Sequence, residues 1–576
     1  MQELDILFLN LHRRYLNTAP NHGGFLGIYL LSAFLRKEGY EAKGFSGSLE
    51  TGLQNIDKFC SNSNVSMIGL YCDFDNITEN IFISHYVKEN FNLPVIVGGP
   101  QATALEKDFF EKSKCDAVVR YEGELTVLEL ANFFLEGIGR LENILGITYL
   151  KNGILEKNLE RPVIKNLDAL PFIDQNCYLN EQDIYRGLSL MTGRGCPFQC
   201  AFCHEGAHTR QVRFRSVENV LEEIDIYLEK YYGQDSYILF NDDTFTLNTE
   251  RVKKICDGLA ERRKKYDLSF FCEGHIHTLY KNPEMIQYLA NAGCIRIQLG
   301  IEAGTEKILK AYGKHSTPEE IFEVVRLCRD AGIQEIFGNI ILGGANFTRE
   351  VYEADKKFVH DLILESQGTL EIGVVSFWPL AETPMTRCPD KFNIKICDSD
   401  FITSVGDFPQ VETEKLDRFT IAQMEEELQR EILNQMVEMI ENWQVPTERI
   451  VKWFPKHRDT RHYSMWYVKL LENEILHSYY EMIKLGEGFH SNQITDLVSA
   501  HPLRVAILYK YLKKIDDSTV EICGEKFFGK EIEILLLTTG KLSVEEISNK
   551  VDLKISDVLE VLNRIENKHL IVYSLH

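Results

Sequence analysis

The chain lacks any run approaching the eighteen or so consecutive apolar residues that a membrane-spanning helix needs, which argues against a helical membrane protein. Its first residues, MQELDILFLNL, carry no cationic stretch ahead of the short apolar run, so no secretory signal is expected and a cytoplasmic location is. Positive charge is scarce: 63 Lys and Arg stand against 86 Asp and Glu, a net charge of −23, which disfavours a general role on nucleic-acid backbones. There are 15 prolines and no Gly/Ser-rich, Pro-rich or Gln-rich tract, so nearly all of the chain is expected to fold. The 14 cysteines are spread without a secretory context, which argues for reduced thiols rather than a disulfide framework. Isolated ones such as Cys60, Cys256, Cys328 and Cys523 sit in apolar patterns and read as buried structural thiols.

What is present is alternation. At 576 residues the chain needs more than one core. From residue 4 to about 125, short apolar runs at 5–10, 41–45, 67–72, 95–98 and 117–120 alternate with amphipathic segments such as 27–37 and 80–90. That order predicts a doubly wound parallel α/β sheet of Rossmann-like form, with ligands at the carboxyl ends of its strands. Residues 141–185 read as a linker with a small β element turning at Asn152–Gly153. Strands are predicted again at 188–192, 237–240, 269–273, 295–300, 336–341 and 373–377, nearly all followed by helical stretches, the pattern of a partial (β/α)6 barrel over 186–384. A mostly helical region over 385–515 follows, with patterns at 421–443 and 463–485; its Trp443, Trp453 and Trp466 read as core residues. The last segment, 516–576, reads as a hairpin, three short helices and a strand, a winged-helix-like module. With seven Lys/Arg against eight Asp/Glu from Lys526 onward it is not basic, which counts against DNA.

The chemistry concentrates in GRGCPFQCAFCHEG, where Cys196, Cys200 and Cys203 follow a predicted strand with Cys-x3-Cys-x2-Cys spacing. Three thiolates on one loop hold three irons of a cubane cluster and leave the fourth open. A zinc site with His204 as fourth ligand is the alternative, but zinc favours four closed ligands, usually from two Cys-x2-Cys pairs. The segment resembles the signature of the radical S-adenosylmethionine superfamily, with Phe202 as the aromatic residue before the last cysteine. The resemblance implies a [4Fe–4S] cluster whose open iron is chelated by S-adenosylmethionine, with Phe202 against the adenine. It further implies cofactor contacts from Asp242 and Asp243 in NDDTF, Gln298 and Glu302 in QLGIEAG, and Ile340 in the glycine motif FGNIILGG. In CEGHIHT, His275 stands where relatives commonly carry arginine, so its cofactor role is open, and His277 reads as structural.

VGGPQAT at 97–103 and DAVVRYEGE at 116–124 resemble the cobalamin-binding domain that precedes the radical domain in one subgroup. This implies corrinoid contacts from Gly98, Gly99, Gln101, Glu122 and Gly123, with Leu70, Tyr71 and Cys72 near the lower face of the cobalt. Asp-x-His-x-x-Gly is missing, so no histidine ligand from that motif is expected, and a domain that binds no cobalamin remains an alternative. The resemblance to these cobalamin-dependent radical enzymes implies methylation of an unactivated carbon of a peptide or small molecule through methylcobalamin and a 5′-deoxyadenosyl radical. It also implies an electron donor such as flavodoxin or ferredoxin. A non-methylating rearrangement, cyclisation or oxidation, and a non-catalytic iron–sulfur winged-helix regulator, are the alternatives. Methylthiotransfer is disfavoured because the N-terminal region holds no second cysteine trio.

Overall fold

In a computed structural model, residues 4–12, 26–61, 65–204, 211–233, 237–397, 408–442, 444–446, 449, 464–505, 512–516 and 518–575 are described. The N-terminal sheet is built from β1 (Ile6–His12), β2 (Ala42–Ser48), β3 (Met67–Tyr71), β4 (Val95–Gly98) and β5 (Ala117–Val119), all parallel. Their order is β2-β1-β3-β4-β5, with helices α1 (Leu26–Lys37), α2 (Leu49–Cys60), α3 (Ile77–Phe91), α4 (Pro100–Ala104), α5 (Glu106–Lys112) and α6 (Glu124–Glu136) between and after them. Strands buried on both faces read as continuous apolar runs, and Leu7, Leu9, Ile68, Val95, Val97 and Val118 form one core with Ile56, Ile83 and Phe109 from the helices.

The small β element expected as part of a linker joins this sheet. Strands β6 (Ile147–Lys151) and β7 (Ile154–Lys157) turn at Asn152–Gly153, and β6 pairs antiparallel with β5, making a seven-stranded mixed sheet. Buried Arg120 at the end of β5 holds the hairpin there by donating to the carbonyls of Ile147 and Asn158. An open β5 edge would leave a row of backbone groups unpaired, and the hairpin satisfies them.

The second sheet has six strands in the order β15-β14-β13-β12-β11-β8, comprising β8 (Leu188–Leu190), β11 (Ile238–Phe240), β12 (Phe270–Gly274), β13 (Cys294–Glu302), β14 (Glu335–Leu342) and β15 (Leu370–Ser376). A short antiparallel pair, β9 (Gly193–Arg194) and β10 (Arg213–Phe214), follows β8. Helices α7 (Val217–Lys230), α8 (Thr249–Arg262), α9 (Ile276–Lys281), α10 (Glu284–Ala292), α11 (Glu306–Ala311), α12 (Pro318–Ala331) and α13 (Arg349–Ser366) alternate with these strands. Local sequence sets their ends: Thr317 caps α12 ahead of Pro318, and Gly332 closes it at φ 89°.

The chain folds as two compact units, residues 1–362 with 372–429, and residues 363–371 with 430–576. Both sheets above belong to the first, but for Leu370 and Glu371 at the start of β15, and so do the antiparallel pair β16 (Ile394–Ile396) and β17 (Val411–Thr413) and the start of α14 (Arg418–Glu441). The second unit holds α15 (Met465–Glu472), α16 (Glu474–Lys484), β18 (His501–Arg504), β19 (Leu512–Lys514), β20 (Thr519–Ile522), β21 (Glu525–Phe528), α17 (Lys530–Leu537), α18 (Val544–Val551), α19 (Ile555–Glu566) and β22 (Ile571–Ser574). The expected hairpin is β20-β21, and the final strand pairs with β18 rather than with that hairpin. Trp466 is buried and donates its indole N–H to the Leu370 carbonyl at 2.9 Å, a core role. Trp443 and Trp453 lie outside the described residues.

Candidate functional site

The cysteine loop leaves β8 and is pinned from several directions. Gly195 at φ 90° turns the chain into Cys196, and the Cys203 amide donates to the Cys200 carbonyl at 3.1 Å, closing a tight turn between two of the thiols. The Ala201 amide donates to the Tyr312 carbonyl at 2.8 Å, and the Met385 amide donates to the Ala201 carbonyl at 3.0 Å. Phe198, between the first two cysteines, stacks on His275 with ring centroids 3.7 Å apart and planes 8° from parallel. The three thiols are half-buried, and burial pushes those of Cys196 and Cys200 up from the usual thiol range. Among the described residues no three His, Cys, Asp or Glu side chains already converge as a metal-holding group, so the loop presents three sulfurs and no closed ligand set. His204, the zinc alternative's fourth ligand, is buried and lines the cavity described below.

Above this loop the ends of the second sheet bring charged groups together. Along β12, Cys272 is buried beside Cys294, Cys256 of α8 and Cys328 of α12, so the alternating Glu273 faces the other side of the sheet. Gln298 pairs in register with Glu273, and Glu302 closes β13 in a left-handed conformation at φ 64°. Glu302 forms an ion pair with Lys314 at 3.0 Å. Glu273 has its carboxyl pushed up to about 7, by burial first and then by Asp243, Asp242 and Glu302, with Lys314 opposing. Burial, with Lys314 nearby, pushes His275 down to about 3, so this ring is neutral where it stacks on Phe198.

The other residues expected at the site occupy different settings. Asp242 is buried and accepts from the Thr192 amide at 2.6 Å and from the Thr192 hydroxyl, which fixes the strand end preceding the cysteines. Asp243 accepts from the Gly195 amide at 3.0 Å and remains at the cavity wall. The Ile340 side chain is fully buried, leaving only its backbone to meet a ligand. His275 acts first on the loop, through Phe198. Phe202 meets Tyr312 edge-on at 5.2 Å, with the Lys314 ammonium 5.7 Å from its ring centre. Lys314, Glu273 and Tyr312 were not among the residues singled out by sequence.

A cavity of about 650 Å³ lies between the carboxyl ends of the N-terminal sheet and the cysteine loop. Leu70, Tyr71, Gly98, Gly99, Glu122 and Gly123 line it from the N-terminal side, and Gly193, Arg194, Gly195, His204, Asn241 and Asp243 from the other. Two expected contacts are absent from its walls: Cys72 is buried in the N-terminal core, and Gln101 is buried in α4. Gly99 is needed by the fold itself, since its φ is 109° and a Cβ would stand 2.5 Å from the Cys72 carbonyl. Tyr121 sits at the rim in a left-handed conformation, φ 62°.

The two sides of the cavity are joined by charge. Arg194, two residues before Cys196, pairs with Glu124 and lies 3.6 Å from Glu122, while Arg213 pairs with Glu122 at 2.6 Å. Glu122 also accepts from the Ile164 amide at 2.8 Å. Burial opposes the Arg194 charge, yet Glu124 and Glu122 hold its pKa above the ordinary arginine value.

Residues 190–359 match the family model of the Radical SAM superfamily. An uncharacterized methyltransferase of Pyrococcus horikoshii is 32% identical over 349 residues, 59% of this chain and 74% of its own length. The chain belongs to the radical SAM superfamily. Two other curated relatives, a 4'-phospho-dehydrooxetanocin synthase of Priestia megaterium and an anaerobic magnesium-protoporphyrin IX monomethyl ester cyclase of Cereibacter sphaeroides, are 28% and 26% identical and matched over 45% and 44% of their own length. Among solved structures, the superfamily member OxsB, described as cobalamin-dependent and holding aqua-cobalamin and S-adenosylmethionine, superposes with a TM-score of 0.61 at 19% identity, over 98% of this chain and 79% of its own. The methyltransferase TsrM of Kitasatospora setae, with cobalamin and a [4Fe–4S] cluster bound, superposes with a TM-score of 0.56 at 17% identity, over 69% of this chain and 78% of its own. At these identities the likeness establishes the fold. No helix among the described residues is long and apolar enough to cross a membrane.

Proposed function

We propose that this chain is a cobalamin-dependent radical methyltransferase acting on an unactivated carbon. The observation that carries the reading is a cavity bounded on one side by the N-terminal strand ends and on the other by Arg194, Gly195 and His204, which flank the loop of Cys196, Cys200 and Cys203. The donor set suits the groups concerned: three soft sulfurs on one loop without a fourth protein ligand fit a cluster with an open iron. A cavity with an apolar floor at Leu70, Ile96 and Val119 and charged walls at Glu122 and Arg161 fits a corrinoid ring with polar edges. When bound, the cluster with S-adenosylmethionine supplies a carbon radical, and the corrinoid supplies a methyl group.

The chain's own residues divide the remaining work. Cys196, Cys200 and Cys203 hold the cluster, and Phe198 on neutral His275 keeps their loop in place. Gln298, Glu273, Glu302 and Asp243 offer acceptors to the ammonium and ribose hydroxyls of S-adenosylmethionine, and the three carboxyl groups, where ionised, offset its sulfonium charge. Tyr71, Gly98, Gly99 and Gly123 shape the corrinoid seat. Arg194, bridged to Glu122 and Glu124, fixes the cluster loop against that seat, so donor and acceptor meet at a set distance.

The substrate is a peptide or a small molecule, and a flavodoxin or ferredoxin supplies the electron. For a peptide added as a strand, the outer edge of β21 is taken, because Arg564 donates to the Lys526 carbonyl at 2.8 Å and the Phe528 amide donates to Glu531 at 3.0 Å. The test is anaerobic purification with cobalamin supplied, followed by absorption spectroscopy, metal analysis and product analysis. The reading expects four irons and one cobalt per chain, with both S-adenosylhomocysteine and 5′-deoxyadenosine formed. Protein without cobalt, or 5′-deoxyadenosine without S-adenosylhomocysteine, would remove the methyl transfer.

A further inference from the structure

The segment Tyr312–Gly313–Lys314–His315 follows α11 and runs alongside the cysteine loop. The Ala201 amide donates to the Tyr312 carbonyl, and Gly313, at φ 75°, passes so close that a Cβ there would stand 2.9 Å from the Gln199 carbonyl and 3.8 Å from the Cys200 Cα. His315 lies 6.4 Å from Phe198, ring to ring. This packing delivers one ammonium group, that of Lys314, to the loop.

Three further features hold that ammonium where it is. Glu302 reaches it from a left-handed backbone conformation that is strained for a residue with a side chain. Gly300 leaves the space the pair occupies, since a Cβ there would overlap Nζ of Lys314 and stand 2.9 Å from Oε1 of Glu302. Phe202, one residue before Cys203, offers its ring face at 5.7 Å. The side chain of Lys314 is 9% exposed. Burial works against its charge, but Glu302 and then Cys200 outweigh that effect and hold the ammonium above the usual lysine range. A buried cation with a dedicated space and a strained anchor is a costly arrangement, and it sits beside the carboxyl groups of Glu302 and Glu273.

We propose that Lys314 is a fixed positive charge that raises the reduction potential of the cluster held by Cys196, Cys200 and Cys203, with Glu302 as its anchor. The inference rests on the cluster reading above. Reduction adds one electron to the cluster, and a cation held beside its thiolates favours the more negative state, raising the potential. Lys314 is a positioning and tuning residue, needing no contact with the substrate.

The experiment is a redox titration of the full chain, reconstituted anaerobically and followed by electron paramagnetic resonance without S-adenosylmethionine. At wild-type iron content, Lys314→Met should disfavour reduction tenfold or more, ~59 mV for a one-electron couple. Lys314→Arg should stay within about twofold of wild type. Coincident titrations of wild type and Lys314→Met overturn the proposal. So does equal lowering in the Met and Arg variants, which would assign the effect to packing. If Lys314→Met takes up no iron, Lys314→Gln decides: a downward shift supports the proposal and no shift overturns it. A wild-type chain that takes up no cluster removes the cluster reading and this proposal together, whereas a cluster indifferent to Lys314 removes this proposal alone.

Discussion

Glu273→Gln should flatten the pH dependence of S-adenosylmethionine binding. Glu273 stands at the end of β12 with its carboxyl raised from 4.5 to about 7, through burial and the neighbouring Asp243, Asp242 and Glu302. A sulfonium ligand entering this mouth favours the ionised carboxylate, so binding below pH 7 has to expel a proton. Each pH unit below 7 then costs about 1.36 kcal/mol, and two units, from pH 7 to pH 5, cost up to ~2.7 kcal/mol or roughly 100-fold in affinity. The ligand's own amine also titrates, so the informative quantity is the difference between wild type and variant. Equilibrium dialysis of the cluster-loaded chain from pH 5 to pH 8 measures it. Wild type should lose affinity toward pH 5 more steeply than the Gln variant, by as much as the factor above, while the two profiles run parallel above pH 8. Parallel profiles across the whole range would refute the reasoning, because they would place Glu273 away from the ligand's charge. The same raised value has a stability consequence of fixed sign. The folded chain binds the extra proton between pH 4.5 and about 7, so this carboxyl costs nothing below 4.5 and its penalty is complete above about 7. Glu273→Gln should therefore gain stability relative to wild type on the alkaline side.

Cys200→Ala should abolish the thiolate-to-iron absorbance of the cluster and S-adenosylmethionine cleavage; retained cleavage under strong reductant would contradict the cluster assignment. Arg194→Met leaves Glu124 buried without its partner and should lower stability by about 3–5 kcal/mol, read as a lower urea midpoint, while an unchanged midpoint would show the bridge to be dispensable. Gly99→Ala forces a side chain into φ 109° and against the Cys72 carbonyl, and should cost of order 1–3 kcal/mol with loss of cobalamin retention on a desalting column. Cobalamin retention equal to wild type would detach this turn from the corrinoid seat.

The alternation of apolar runs made both sheets legible, because strand periodicity and short connections are local properties. All five N-terminal strands and all six barrel strands fall where short apolar runs stand, within a few residues. The hairpin at Asn152–Gly153 was equally legible as a turn, but not its destination, since only the open edge of β5 and the reach of Arg120 decide where it docks. The cysteine loop carried its chemistry in its spacing. Asp242 and Asp243 looked equivalent as neighbours in sequence, and the fold separates them because Thr192, fifty residues earlier, satisfies the first. Lys314 and Glu273 were invisible for the converse reason: each is unremarkable among charged neighbours and acquires meaning only from groups brought close by tertiary packing. The signal available for Lys314 was the glycine before it, which ends α11 in a left-handed turn and aims the following residue back at the loop.

Arg194 lies in the same short strand that leads to Cys196, yet its carboxylate partners Glu122 and Glu124 belong to the turn after β5 and the start of α6. The two halves of the first unit are therefore unsuited to separate study or free exchange. A radical domain cut away at residue 186 would keep its cysteines but leave Arg194, beside the loop meant to hold iron, without its ion-pair partners Glu122 and Glu124. A chimera would need to bring the acidic turn and the arginine as a matched pair. The boundary at which such enzymes are recombined thus lies through this ion pair, and not through the linker that joins the sheets in sequence.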